Sequence, residues 1–169
     1  TTFMGQYKSP VPAYEWAAVY AAVGAYALKN DPARPLRTKL LTGLLPPAVA
    51  DRFSFEERDL LLNYGISTFD VDAGGNVRIE RAITSYRESP LGAPDPSYLD
   101  LMSVKTVSFL RFDLRSYIAL RYPDYKLADD GNEGDHIVTP KVLKAAIVSR
   151  FKQWQEAGLV ENLEQFTQD

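Results

Sequence analysis

The stretch Gly65–Thr84, GISTFDVDAGGNVRIERAIT, decides the fold of this chain. β-branched residues are frequent at both of its ends, and Val77, Ile79 and Ile83 recur at even spacing, as on one face of a strand. The segment Ala73–Gly75 lies between the two runs, and its glycines permit the positive φ angles of a tight turn. The sequence therefore predicts a β-hairpin.

The same stretch begins like an EF-hand calcium loop, since Asp70, Asp72 and Gly75 would fill positions 1, 3 and 6. Position 5 is Gly74, which has no side-chain oxygen, and position 12 is Arg81, a cation where a bidentate glutamate belongs. The strand-like flanks also differ from the two helices of an EF-hand. A calcium-binding module therefore stays a minor alternative to the hairpin.

Composition excludes several classes of site. The 169 residues carry a net charge of −3, which gives no general electrostatic reason to bind nucleic acid. The absence of cysteine excludes disulfides and thiolate sites. The longest apolar run, Trp16–Leu28, is too short for a bilayer span. Because the chain starts on Thr1 without an initiator Met and stops just after a helical pattern, we expect a fragment of a longer protein.

Four helices are predicted around the hairpin. The alanine-rich segment Pro12–Leu28 is expected to be buried on most faces. Ser54 and Glu57 form a capping-box pattern for a short helix that stops at Gly65. The other two predicted helices run over Ser97–Tyr122, apolar enough to be covered on most sides, and from an N-cap at Thr139 to Gly158.

These elements predict an α+β fold, in which a small antiparallel sheet with the hairpin packs against long helices. A proline-rich crossover, with a short strand at Thr38–Leu41, is expected to separate the end of one domain (residues 1–45) from a second domain (residues 46–169).

Two charges fall on apolar helix faces. Asp113 lies in the apolar arc of the long helix, and Arg150 lies on the apolar stripe of the last helix, four residues before Trp154. Buried charges need partners. We therefore expect an Asp113–Arg150 ion pair, with Arg150 stacking on Trp154 as the alternative.

Candidates for catalysis or metal binding are few. His136 lies in a glycine-rich loop without a nucleophile-elbow motif, so a solvated side chain is the stronger interpretation. The acids of the same loop, at Asp129, Asp130, Glu133 and Asp135, match no metal-ligand spacing. We expect neither a cofactor nor an enzyme activity; the alternative is a hydrolase fragment whose catalytic residues lie outside this chain.

The order of several motifs resembles the contractile tail sheath proteins of Mu-like phages. The most specific piece is RDLLLNYGISTFDVDAGGNVRIERAITSY, Arg58–Tyr86. Further pieces follow the same order along nearly the whole chain: DPARPL at Asp31–Leu36, DPSYLDL at Asp95–Leu101, FLRFDLRS at Phe109–Ser116, KLADDG at Lys126–Gly131, VTPKVLKA at Val138–Ala145 and AGLVENLEQF at Ala157–Phe166.

The resemblance implies a structural subunit of the virion tail, assembled in the host cytoplasm. Its partners would be other sheath subunits in six-fold rings, the tail tube protein, the baseplate and the tail terminator, with no direct contact to nucleic acid. Contraction would drive the tube through the host envelope for genome delivery. The chain would hold the end of the subtilisin-like domain and most of the C-terminal domain. Lacking terminal arms, it is expected to be monomeric or weakly associated.

The resemblance also suggests two surfaces. A hairpin with a free edge would suit strand addition between subunits. Its candidate interface residues are Asp72, Gly74, Gly75, Arg78, Glu80 and Arg81. In the family that this chain resembles, a helix of the C-terminal domain docks on the tube by charge. The resemblance implies the same role for the outer face of the last helix, at Lys141, Lys144 and Lys152.

Overall fold

A computed structural model describes residues 3–4, 8–132 and 134–168. The chain forms two compact units, Thr1–Lys105 and Thr106–Asp169. The described elements confirm the mixed α+β class, with sheets of three and two strands. In chain order they are β1 (Phe3–Met4), α1 (Ala13–Asn30), a 3-10 turn (Val49–Asp51), α2 (Phe55–Asn63), β2 (Ile66–Val71), β3 (Val77–Arg81), α3 (Leu101–Arg121), β4 (Lys126–Leu127), β5 (Ile137–Val138), α4 (Pro140–Glu156) and α5 (Leu163–Gln168).

The hairpin is present as predicted. Strands β2 and β3 pair antiparallel, with Val71 opposite Val77. The Asp72 N–H donates to the Asn76 carbonyl at 3.0 Å and closes the turn. Gly75 has a φ of +79°, a left-handed conformation that favours glycine. The turn therefore fixes the register that brings Val77 and Ile79 to the core face.

The expectation of a free hairpin edge is wrong for β3, and the start of β2 also has a further neighbour. β1 pairs parallel with Ile66 and Ser67 of β2. The predicted short strand at Thr38–Leu41 lies along β3: the Thr38 N–H donates to the Ile79 carbonyl at 2.8 Å, and Leu40 forms a single antiparallel bridge with Arg78. The backbone groups of Val77 and Ile79 on this side of β3 are thus used inside the chain.

The core of the first unit forms where α1 lies on the sheet. Trp16 and Ile79 are each only 1% exposed, and the Trp16 and Phe69 rings lie 4.6 Å apart. The expectation that α1 is buried on most faces is wrong, because Tyr14 and Tyr26 are 72% and 75% exposed. The buried positions Trp16, Tyr20, Gly24 and Leu28 recur every four residues, so the sheet covers a single stripe of the helix.

Helix α2 begins and ends as its sequence predicts. The Glu57 N–H donates to Ser54 Oγ at 3.2 Å, and the Ser54 N–H donates to Glu57 Oε2 at 2.7 Å. This reciprocal capping box satisfies two backbone donors at the helix start. Gly65 follows the helix with a φ of +76°, which brings the chain directly into β2.

Helix α3 begins at Leu101, four residues later than expected. The Thr84 N–H donates to the Leu99 carbonyl at 2.7 Å, and the Leu101 N–H donates to the Ala82 carbonyl at 3.2 Å. These bonds, together with the bridge between Ile83 and Asp100, hold the residues before Leu101 in a turn and a bridge instead of the helix. The expectation that α3 is covered on most sides is also wrong: Phe112 is 71% and Leu120 is 82% exposed. The apolar content of the sequence indicated that the surface of α3 needs to be covered, but it did not indicate whether residues of this chain cover it.

The second unit combines the β4–β5 pair with α4 and α5. Thr139 caps α4 and Pro140 occupies its first turn, as predicted. At the other end, the Gly158 and Leu159 N–H groups donate to the Gln155 and Trp154 carbonyls, both at 2.9 Å, in a Schellman arrangement. No helix of the described residues is long and apolar enough to cross a membrane. The domain boundary expected at residues 45–46 stays a prediction.

Candidate functional site

The hairpin turn is organised around the carboxylate of Asp72. Its Oδ1 accepts N–H groups from Gly74 at 3.0 Å and Asn76 at 2.9 Å, and its Oδ2 accepts from Arg78 Nε at 2.7 Å. The hydrogen bond from Arg78, followed by that from the Asn76 backbone, lowers the pKa of Asp72 to about 2. The carboxylate thus caps the turn, and its oxygens are occupied by N–H donors.

The remaining charged residues of the predicted interface also have partners within the chain. Glu80 Oε2 lies 2.9 Å from Arg58 Nε of α2. Arg81 Nε and Nη2 each lie 3.2 Å from a carboxylate oxygen of Asp100, just before α3. The buried Tyr20 hydroxyl donates to the Arg81 carbonyl at 3.3 Å, and burial raises the pKa of this phenol. Every charged member of the interface suggested by the sequence therefore has a partner inside the chain.

The structure brings Asp113 and Arg150 together between α3 and α4. Arg150 Nε donates to Asp113 Oδ2 at 2.6 Å, and Arg150 Nη2 donates to Asp113 Oδ1. The Trp154 indole N–H donates to the same Oδ2 at 2.8 Å, while the Arg150 guanidinium lies 5.1 Å from the Tyr117 ring centre. The hydrogen bonds from Arg150 lower the pKa of Asp113. One carboxylate therefore holds two side chains of α4.

Sequence reasoning named the pair but missed two members of this network, the Trp154 N–H and the Tyr117 ring. A signal for both was present, because Tyr117 follows Asp113 by four residues and Trp154 follows Arg150 by four. Residues four apart lie on one helix face. The partner of Glu80 was missed as well, since nothing in the sequence links Arg58 to a strand 22 positions later.

Lys141, Lys144 and Lys152 are all exposed on α4. They lie away from Ala146 and Trp154, the buried residues of that helix. This geometry leaves the three ammonium groups available to a partner.

In the loop that contains His136, the described side chains contact residues of the same unit. The His136 ring lies against Tyr125, with ring centres 5.1 Å apart. Asp130 Oδ1 accepts the Lys141 N–H at 3.0 Å, and Glu133 lies outside the described residues. Within the described ranges, no group of three or more histidine or acidic side chains could hold a metal ion.

Comparison with known proteins gives two family matches in tandem. Residues 1–85 match the phage tail sheath protein central domain, and residues 93–169 match the phage tail sheath C-terminal domain. A Mu-like prophage FluMu tail sheath protein of Haemophilus influenzae is 45% identical over 170 residues, which cover 99% of this chain. The chain spans about a third (35%) of the length of that relative.

A crystal structure of a sheath tail protein from Desulfitobacterium hafniense has the same fold. It superposes with a TM-score of 0.57 at 13% identity, over 78% of this chain and 28% of the other. The family matches, the sequence relative and the shared fold agree with one another. The chain belongs to the phage tail sheath protein family, which consists of structural proteins of the phage tail.

Proposed function

We propose that this chain is part of a sheath subunit that polymerises around the tail tube and contracts. The tandem match to the central and C-terminal sheath domains supports this proposal most strongly. In the proposed assembly, subunits form six-fold rings between a baseplate and a tail terminator. Contraction drives the tube through the host envelope for genome delivery. The virion tail, assembled in the host cytoplasm, is the proposed location, and the proposed role is structural rather than catalytic.

We further propose that the hairpin tip contributes to the contact between subunits. Gly74 and Gly75 are exposed at the tip. Asp72, Arg78, Glu80 and Arg81 are engaged in ion pairs within the chain. The tip would therefore offer a rigid shape and backbone polar groups to a neighbour. Rigid surfaces lose little conformational entropy on binding, which favours such a role.

Docking on the tube is proposed for the exposed lysines of α4. Lys141, Lys144 and Lys152 would meet an acidic surface of the tube protein, since charge complementarity speeds association and fixes orientation. To test this, all three are reversed to Glu in the full-length subunit. Tube binding should weaken while the circular dichroism spectrum is unchanged. Reversing Lys29, Arg34 and Lys126, which are also exposed, is the matched control; equal loss in both variants contradicts the proposal.

Electron microscopy of the purified full-length subunit tests the proposed function as a whole. Sheath subunits should form hollow tubes with helically arranged rings, with or without a tail tube. Discrete monomers at every protein and salt concentration, together with failure to coat purified tubes, would contradict it.

A further inference from the structure

Helix α3 has an outer face that is both basic and apolar. Val107, Arg111, Phe112 and Arg115 follow one another at intervals that place them on one side of the helix, opposite Asp113. Phe112 is 71% and Val107 is 40% exposed. No ion pair of the described residues includes Arg111 or Arg115. We define these four residues as the α3 outer face.

Helix α2 has a face of the same size and opposite charge. Glu56, Asp59, Leu60 and Asn63 lie at i, i+3, i+4 and i+7, and all four are exposed, Leu60 by 57%. Arg58 points away from them to Glu80. We define these four residues as the α2 outer face. It is acidic around one exposed leucine.

The two faces match in length and in charge spacing. Helix α2 has 9 residues, and the segment from Val107 to Arg115 has the same number, so each is about 13.5 Å long at 1.5 Å per residue. Arg111 and Arg115 are one turn apart, as are Glu56 and Asp59, so the two acids can meet the two arginines beside a Leu60–Phe112 contact. Each helix alone leaves these groups exposed.

We propose that the α3 outer face of one copy docks on the α2 outer face of a second copy. The contact is heterologous, because the two faces are different surfaces of the same chain, so every copy can bind one neighbour through each face. Such contacts extend into rings or helical arrays. The inference rests on the proposed function and deepens it, since it names a pair of surfaces through which sheath subunits meet.

A single contact of this kind is weak. Exposed ion pairs contribute little individually, and they are screened by salt. Two copies in solution should therefore meet only transiently, whereas simultaneous contacts in an assembly reinforce one another. A test on isolated chains must trap the transient contact.

Cysteine crosslinking is suited to this test because the chain contains no cysteine. A Leu60→Cys copy is mixed with an isotopically labelled Phe112→Cys copy under mild oxidation, and disulfide heterodimers are quantified by mass spectrometry. The control pairs Phe112→Cys with Leu91→Cys, since Leu91 is 95% exposed but lies on neither face. The Leu60–Phe112 pair should exceed the control, and equal yields would overturn the proposal. Because each copy carries one cysteine, contacts within a copy cannot contribute.

Charge reversal provides a second test in the same crosslinking experiment. Arg111→Glu with Arg115→Glu should lower the heterodimer yield about tenfold, because like charges then face each other. Combining this variant with a Leu60→Cys copy that carries Glu56→Arg and Asp59→Arg should restore the yield; failure of the restoration contradicts the proposal. Tubes of the full-length subunit without crosslinking between these faces would refute this contact alone, whereas absence of tubes would count against the proposed function.

Discussion

Different interactions stabilise each of the two compact units of this chain. In the first, α1 and the hairpin bury a continuous apolar core in which Trp16 and Ile79 are almost inaccessible. In the second, no residue of α3 is buried, and the carboxylate of Asp113 joins α3 to α4 through Arg150 and Trp154. Apolar burial is non-directional, whereas this polar network requires one geometry. The first unit thus resembles a finished domain core, and the second leaves apolar helix surface for partners.

The largest effect is expected from a cavity in the apolar core of the first unit. Ile79→Ala should reduce the free energy of unfolding by about 2–5 kcal/mol, since the buried side chain leaves a cavity. Urea denaturation followed by circular dichroism measures the loss. Leu91→Ala, at a leucine that is 95% exposed, should change the same free energy by less than about 0.5 kcal/mol. Similar losses in both variants would contradict the assigned core.

Removing Asp113 tests the polar network of the second unit. Asp113→Ala leaves the Arg150 guanidinium and the Trp154 N–H without their acceptor, which costs about 1–3 kcal/mol for partly buried groups. Hydrogen exchange of α4 amides should accelerate about 5- to 100-fold, while β2 and β3 keep their rates. Asp135→Ala, at an exposed acid of the same unit, is the control. Unchanged exchange in α4 would show that the network does not stabilise the unit.

Replacing glycine by alanine should change the stability in opposite directions at different positions of the chain. Gly75 in the hairpin turn and Gly158 after α4 have φ angles of +79° and +71°, so Ala at either position should cost about 1 kcal/mol. Gly24→Ala inside α1 should instead stabilise by about 0.5–1 kcal/mol, because its added Cβ meets only Leu36 Cδ1, at an ordinary 3.8 Å. Thermal unfolding of the three variants measures these shifts. Destabilisation by Gly24→Ala would show that α1 packs more tightly than described.

The smallest expected effect is the acid response of the hairpin turn. Asp72 has a folded-state pKa of about 2, below the value of about 3.9 expected in the unfolded chain. Its contribution is therefore complete above about pH 4 and is lost as the pH falls towards 2. Asp72→Asn should lower stability at neutral pH and reduce the acid-dependent loss between these values. Parallel pH profiles of variant and parent, measured by urea denaturation, would contradict the assignment.

What the sequence could predict was local. The hairpin, the capping box of Ser54 and Glu57, and the Gly158 stop all depend on residues a few positions apart. The Asp113–Arg150 partners were found although they are 37 positions apart, because each charge broke an apolar helix pattern.

Burial and sheet neighbours could not be predicted in this way. The same alanine-rich and apolar patterns fit a covered helix and an open one, so α1 and α3 were expected to be more buried than they are. The pairing of Thr38–Leu41 along β3, which covers the outer edge of that strand, depends on a chain crossover that no local pattern encodes. The Glu80–Arg58 pair escaped prediction for the same reason.

Hydroxyl-radical footprinting of assembled sheath tubes against isolated subunits tests the central claim most directly. On this account the first unit's sheet is an internal scaffold, while the exposed helix faces meet neighbouring molecules. Oxidation of Leu60 and Phe112 should therefore fall on assembly, whereas the buried Phe69 and Ile79 should stay protected in both states. Tubes in which Leu60 and Phe112 remain as reactive as in the free subunit would contradict the account.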